Sequence, residues 1–175
     1  MFAPKVWLFL GLLLLTGVAW AASDAPLLAR NRNPIHIKSD QLLTDTVNRT
    51  ATFIGKVTAR QGDMNLFADR MVVHYAAEGG SVEQVECSGT VRFFQKGPNA
   101  SANRSGSAGH AVYDNREGTI VLTDNPKVYQ GEDMLSGAVI TYYLADQKSV
   151  VTGTPATRVE AVIHPKGKQD AGAAQ

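Results

Sequence analysis

The chain has 175 residues, carries 17 Lys and Arg against 16 Asp and Glu, and is 44% hydrophobic with one cysteine. A near-zero charge balance without a basic run argues against a nucleic-acid partner, because phosphate neutralisation calls for clustered Lys and Arg. One cysteine excludes an internal disulfide, so an exported domain must be held by burial and a hydrogen-bonded sheet.

In chain order, residues 1–21 read as a signal peptide. Lys5 supplies the positive start, Val6 to Val18 is an apolar run of 13, and Ala19-Trp20-Ala21 fits the small-x-small cleavage rule. The run is shorter than the roughly 20 residues that span a bilayer. Cleavage after Ala21 leaves 175 − 21 = 154 residues, enough for one domain with a core. A flexible segment is expected over 22–33, a β-domain over 34–165 and a disordered polar tail over 166–175.

Strand patterning starts at Ile35 and Ile37, which alternate with His36 and Lys38. Ala51, Phe53, Val57 and Ala59 share one parity; Met71, Val73 and Tyr75, then Val85, Cys87, Val91 and Phe93 continue it. Ile120 and Leu122, Ile140, Tyr142 and Leu144, and finally Val159, Ala161 and Ile163 complete the series. Period-two alternation places each set on one strand face. Cys87 falls among apolar residues and reads as a buried thiol. Gln61-Gly62-Asp63, Glu78-Gly79-Gly80, Asn115 to Gly118, Gln130-Gly131-Glu132 and Asp146-Gln147-Lys148 supply tight turns. Lys96 to Ser107 has no apolar anchor and reads as a mobile surface loop.

Four passages repeat. Their first landmarks, Asp40, Asp69, Gly109 and Ala138, are spaced by 29, 40 and 29 residues. Each is answered by a second landmark, Gly55, Gly89, Asp124 or Gly153, after 15 residues or, in one case, 20. Self-similarity of this kind means one supersecondary unit stacked on copies of itself. Among a closed barrel, a sandwich or jelly roll and a β-solenoid, it favours hairpins folded into two facing sheets about 10 Å apart.

Catalytic constellations are weak. Asp40, Asp69, Asp114 and Asp133 lie at turns and strand starts, where acids usually bond their own backbone; nothing pairs two of them across a sugar. His36, His74, His110 and His164 form no short ligand pair, so no metal is expected. Ser39-Asp40 lacks a G-x-S-x-G elbow and reads as a strand-entry cap. No catalytic residue is assigned.

PIHIKSDQ at 34–41, ATFIGKVTARQGDMNLFADRMVVHY at 51–75 and AVYDNREGTIVLTDNPKVYQGEDMLSGAVITYYLADQKSVVTG at 111–153 resemble, in order and spacing, the OstA-like (LptA) family of lipopolysaccharide-transport proteins. Asp124 departs from the pattern, standing where the repeat elsewhere has a glycine. The resemblance implies an open, slightly twisted β-jelly roll without enzymatic activity or cofactor. It also implies a periplasmic location and protomers paired head to tail by strand addition. Such a bridge would run from an inner-membrane transport complex adaptor to an outer-membrane lipopolysaccharide-assembly protein, with lipid A acyl chains in an apolar groove.

The groove residues expected on this basis are Ile35, Ile37, Phe53, Val73, Phe93, Tyr113, Leu122, Ile140 and Tyr142, which equally suit a plain core. The expected partner edges are Ile35, His36 and Ile37 at one end and Val159, Ala161 and Ile163 at the other. Two alternatives remain: a membrane-anchored adaptor of the same transport system, and an exported β-solenoid enzyme acting on polysaccharide.

Overall fold

The computed structural model describes residues 33–165. The signal-peptide reading, the 22–33 segment up to residue 32 and the 166–175 tail lie outside the described residues. Among the described residues, twelve strands make one continuous antiparallel system. They are β1 (His36–Lys38), β2 (Gln41–Asp45), β3 (Thr50–Gln61), β4 (Met64–Tyr75), β5 (Val82–Gln95) and β6 (Arg104–Asp114). After these come β7 (Thr119–Thr123), β8 (Lys127–Gln130), β9 (Asp133–Ser136), β10 (Val139–Tyr143), β11 (Lys148–Thr152) and β12 (Glu160–Val162).

The long strands β3 to β6 bend midway, and the pairing register shifts at each bend: Ile54/Val57, Phe67/Arg70 and Ser88/Val91. Each long strand therefore serves two sheets. The first sheet runs β2–β3–β4–β5–β6–β7–β10–β11, and the second runs β1–β3–β4–β5–β6–β8–β9–β12. Neither closes on itself. The architecture is the open, all-β jelly roll expected from the sequence.

The repeat landmarks turn out to be the corners between the sheets. Asp40 N–H donates to the Gly55 carbonyl at 2.9 Å, Thr90 N–H to the Asp69 carboxylate at 2.8 Å, and Gly109 N–H to the Asp124 carbonyl at 2.8 Å. At the fourth corner Ala138 N–H reaches the Thr152 carbonyl, beside Gly153, at 2.9 Å. Asp faces Gly at three corners, and at Gly109/Asp124 the two exchange strands. This exchange accounts for the departure at Asp124, which itself takes φ 59.

Gly55 (φ +81) and Gly89 (φ +93) occupy left-handed backbone, and a Cβ there would run into Asp40 or Asp69. Gly89→Ala combines that backbone strain with a clash, so it should cost about 2–4 kcal/mol. The check is a lowered urea midpoint at unchanged m.

Two readings need correction. Asp69 and Asp133 do not cap their own turns: Asp69 receives Thr90 N–H across a corner, and Asp133 receives His164 N–H at 2.8 Å from the last strand's end. Asp114 does behave as expected, accepting Arg116 and Glu117 N–H, each at 2.8 Å. The Lys96–Ser107 segment is not a loop throughout, because Arg104 to Ser107 belong to β6 and pair with both β5 and β8. The small side chains of Ser105, Gly106 and Ser107 hid the strand pattern. Gly106 is small because the Phe93 ring lies where its Cβ would stand. The remaining turn is pinned by asparagines: Asn99 accepts Ala102 N–H at 3.0 Å, and Asn103 accepts Gly97 N–H at 2.9 Å.

Candidate functional site

Between the sheets one apolar cluster draws on both. From the second sheet's side come Val57, Ala68, Val91 and Ala108; from the first come Ala51, Met71, Val73, Cys87, Ala111, Leu122 and Ile140. Val57 and Val91 are 1% exposed, so the space along the corner is closed. Burying a Val- to Phe-sized side chain stabilises by about 1.5–3 kcal/mol, and this cluster replaces the disulfide the chain lacks.

The register extends the cluster into rows that run from edge to edge. In the first sheet Leu42, Phe53, Met71, Cys87, Ala111, Leu122, Ile140 and Val151 are successive cross-strand partners. The row beside it holds Thr44, Ala51, Val73, Val85, Tyr113, Ile120, Tyr142 and Ser149. In the second sheet Ile37, Ala59, Leu66, Phe93, Gly106, Val128, Leu135 and Ala161 align. None of these rows contains a carboxylate, an ammonium or a guanidinium. Farther from the corner the second sheet turns polar, through Gln61, Gln95, Arg104, Gln130 and Asp133. The inner surface is thus an apolar trough with a polar rim, suited to an amphiphile rather than to a fully polar ligand.

The nine groove candidates sort by burial. Val73, Leu122 and Ile140 are closed off at 4%, 6% and 3% exposure. Ile37, Phe53, Phe93, Tyr113 and Tyr142 are half-buried on the inner rows, and Ile35 is exposed just before β1. Tyr113 donates its hydroxyl to Asn115 Oδ1 at 2.7 Å, and burial, helped by the Asp114 charge, raises its pKa. Leu66, Val128 and Leu135, on the same inner row as Phe93, escaped the sequence reading. A cleft of about 410 Å³ at the tip of the first sheet, bordered by Thr44, Arg49, Ala51 and Tyr75, meets the inner surface through Thr44 and Ala51.

Cys87 sits in the middle of the first row at 3% exposure. Burial, and secondarily the Glu86 charge, push its pKa to about 12. Because that is above the ordinary value of 9.0, the protonated thiol favours the folded state below pH 9 and the benefit fades as pH rises. Iodoacetamide should therefore leave Cys87 unmodified in native protein at pH 8 and alkylate it at least 100-fold faster in urea. Fast native labelling would contradict its placement.

The edges differ from expectation in number. β1 and β12 bound the second sheet, as the Ile35–Ile37 and Val159–Ile163 readings require, but β2 and β11 bound the first. Among the described residues, each end of the molecule presents two strands that are paired along one edge and free along the other.

The fold and its inner surface define a class: open all-β jelly rolls with an apolar trough running from edge to edge. Residues 36–148 match the family model described as "LptA/(LptD N-terminal domain) LPS transport protein", and the chain belongs to that family. It is 31% identical over 162 residues to the lipopolysaccharide export system protein LptA of Haemophilus influenzae, covering 91% of this chain and 94% of that one. Against the LptA protein of Escherichia coli K12 the identity is 30%, over 78% of this chain and 74% of the relative. The fold superimposes with TM-score 0.67 on the crystal structure of LptH from Pseudomonas aeruginosa, the LptA-homologous periplasmic component of the lipopolysaccharide transport device. That match has 22% identity and covers 77% of this chain and 98% of that one.

Proposed function

We propose that this protein is a non-enzymatic carrier of lipopolysaccharide through the periplasm, exported with cleavage after Ala21. One observation carries the reading: uncharged inner rows run without interruption from one edge of each sheet to the other. A 12-carbon acyl chain transferred from water contributes roughly 8–10 kcal/mol at about 0.8 kcal/mol per methylene. A charge in its path would cancel much of that.

The corner is filled by Val57 and Val91, so acyl chains lie along the half-buried lip formed by Ile37, Phe53, Phe93, Tyr113 and Tyr142, while sugars and phosphates face the polar rim. Strand addition at β1 and β2 on one end, and at β11 and β12 on the other, continues both troughs into a neighbour. Head-to-tail copies form the bridge, capped by an inner-membrane adaptor and an outer-membrane assembly protein. The relatives' identity as lipopolysaccharide export proteins supports this assignment.

The test is saturable co-elution of lipopolysaccharide with periplasmic protein whose intact mass begins at Ala22. Full-length chain in the inner-membrane fraction would point instead to an anchored adaptor, and absence of lipopolysaccharide binding would remove the reading.

A further inference from the structure

The chain is nearly neutral overall, yet its register gathers cations on one outward face. On the solvent side of the second sheet Lys38, Phe67, Arg92 and Lys127 fall in one row, and Arg60, Phe94 and Tyr129 fall in the next. All four cations are exposed, and none takes part in an ion pair among the described residues. Glu160, at the β12 edge, is the one carboxylate in these two rows. Phe67, Phe94 and Tyr129 stand 40%, 41% and 38% exposed, with Arg92 Cζ 6.0 Å from the Phe67 ring centre. The outward face of the first sheet is different: it mixes Arg70 and Lys148 with Asp45, Glu86 and Asp114. No basic run in the sequence announces the patch, because its members lie on separate strands.

We propose that this face docks on an anionic phospholipid bilayer surface. Charge complementarity selects the sign of the partner. From β1 to β8 the cations spread over about 24 Å at ~4.8 Å per strand, and a planar charged surface can meet all of them together. The Phe rings have no hydrogen-bonding group to offer a polar protein surface, but aromatic rings among cations suit the headgroup level of a membrane. Each cation near such a surface improves partitioning about fivefold, so the contact is reversible and salt-sensitive. The trough faces the other way, and edge-to-edge stacking leaves this face free, so docking does not depend on lipopolysaccharide binding.

The experiment is flotation of the periplasmic protein with vesicles of phosphatidylcholine, with or without phosphatidylglycerol and without lipopolysaccharide, at low salt and at about 0.15 M salt. The wild type should float with the anionic vesicles at low salt, less at high salt, and not with neutral ones. Arg60→Glu/Arg92→Glu should lose at least about tenfold in partition, and the milder Arg60→Gln/Arg92→Gln should lose less. Arg70→Glu/Lys148→Glu, with the same change in net charge on the other sheet, should float like the wild type, as should the trough variant Ile37→Asp. Equal losses from both charge-reversed pairs, or salt-independent flotation on neutral vesicles, would overturn the proposal. Capture by an immobilised acidic peptide without flotation would also overturn it, in favour of a protein partner.

Discussion

Phe93→Asp should reduce lipopolysaccharide affinity by at least about tenfold while leaving the strand spectrum by circular dichroism unchanged. Phe93 lies half-buried on the inner row of the second sheet, between Leu66 and Gly106. A carboxylate there must be desolvated when an acyl chain arrives, at a cost of several kcal/mol if unpaired. Ile37→Asp tests the same trough from the edge strand. Lys38→Asp is the counterpart on the outward face and should change lipopolysaccharide affinity less than twofold. Equal losses from inward and outward changes on folded protein would mean that the trough is core alone.

The second large effect concerns assembly. Ala161→Pro should lower head-to-tail association at least about tenfold, seen as loss of concentration-dependent oligomers by light scattering. Among the described residues β12 pairs only β9, with Ala161 opposite Leu135. His164 N–H points toward β9, where it meets Asp133; by alternation the Ala161 N–H faces the free edge, where proline removes a donor. The first-sheet seam at β11 remains, so weakened rather than absent association is expected at high concentration. Lipopolysaccharide binding by the resulting monomer should persist, since each trough lies within one protomer. Unchanged oligomers would contradict strand addition at β12.

Much of this architecture was legible in the sequence because alternation and turn chemistry are local. Phe53, Val73 and Leu122 reach the inner face as their parity requires. The changes of register at the bends were not legible. Around Asp69 the irregular register places Leu66 and Ala68, of even parity, on the same face as Met71 and Val73, of odd parity. Parity counting across that corner therefore lost Leu66. The Asp–Gly repeat did mark the corners, but nothing local showed that Asp69 would reach Thr90 rather than its own turn. Small residues concealed the start of β6, where Gly106 yields its volume to Phe93. The two edges at each end, and the cationic outward face, arise from pairings between distant segments such as β6 with β8 and β9 with β12. Such pairings leave no local periodicity to read.

The most direct test of the carrier mechanism is a photo-cross-linking scan along β5 in cells, one side chain at a time. Alternation is the signature. Lipopolysaccharide adducts should form at the inward positions Val85 and Phe93 and be absent at Glu86, Arg92 and Phe94, which point outward. Adducts of similar yield on both faces, or on the outward face alone, would contradict transport through the trough.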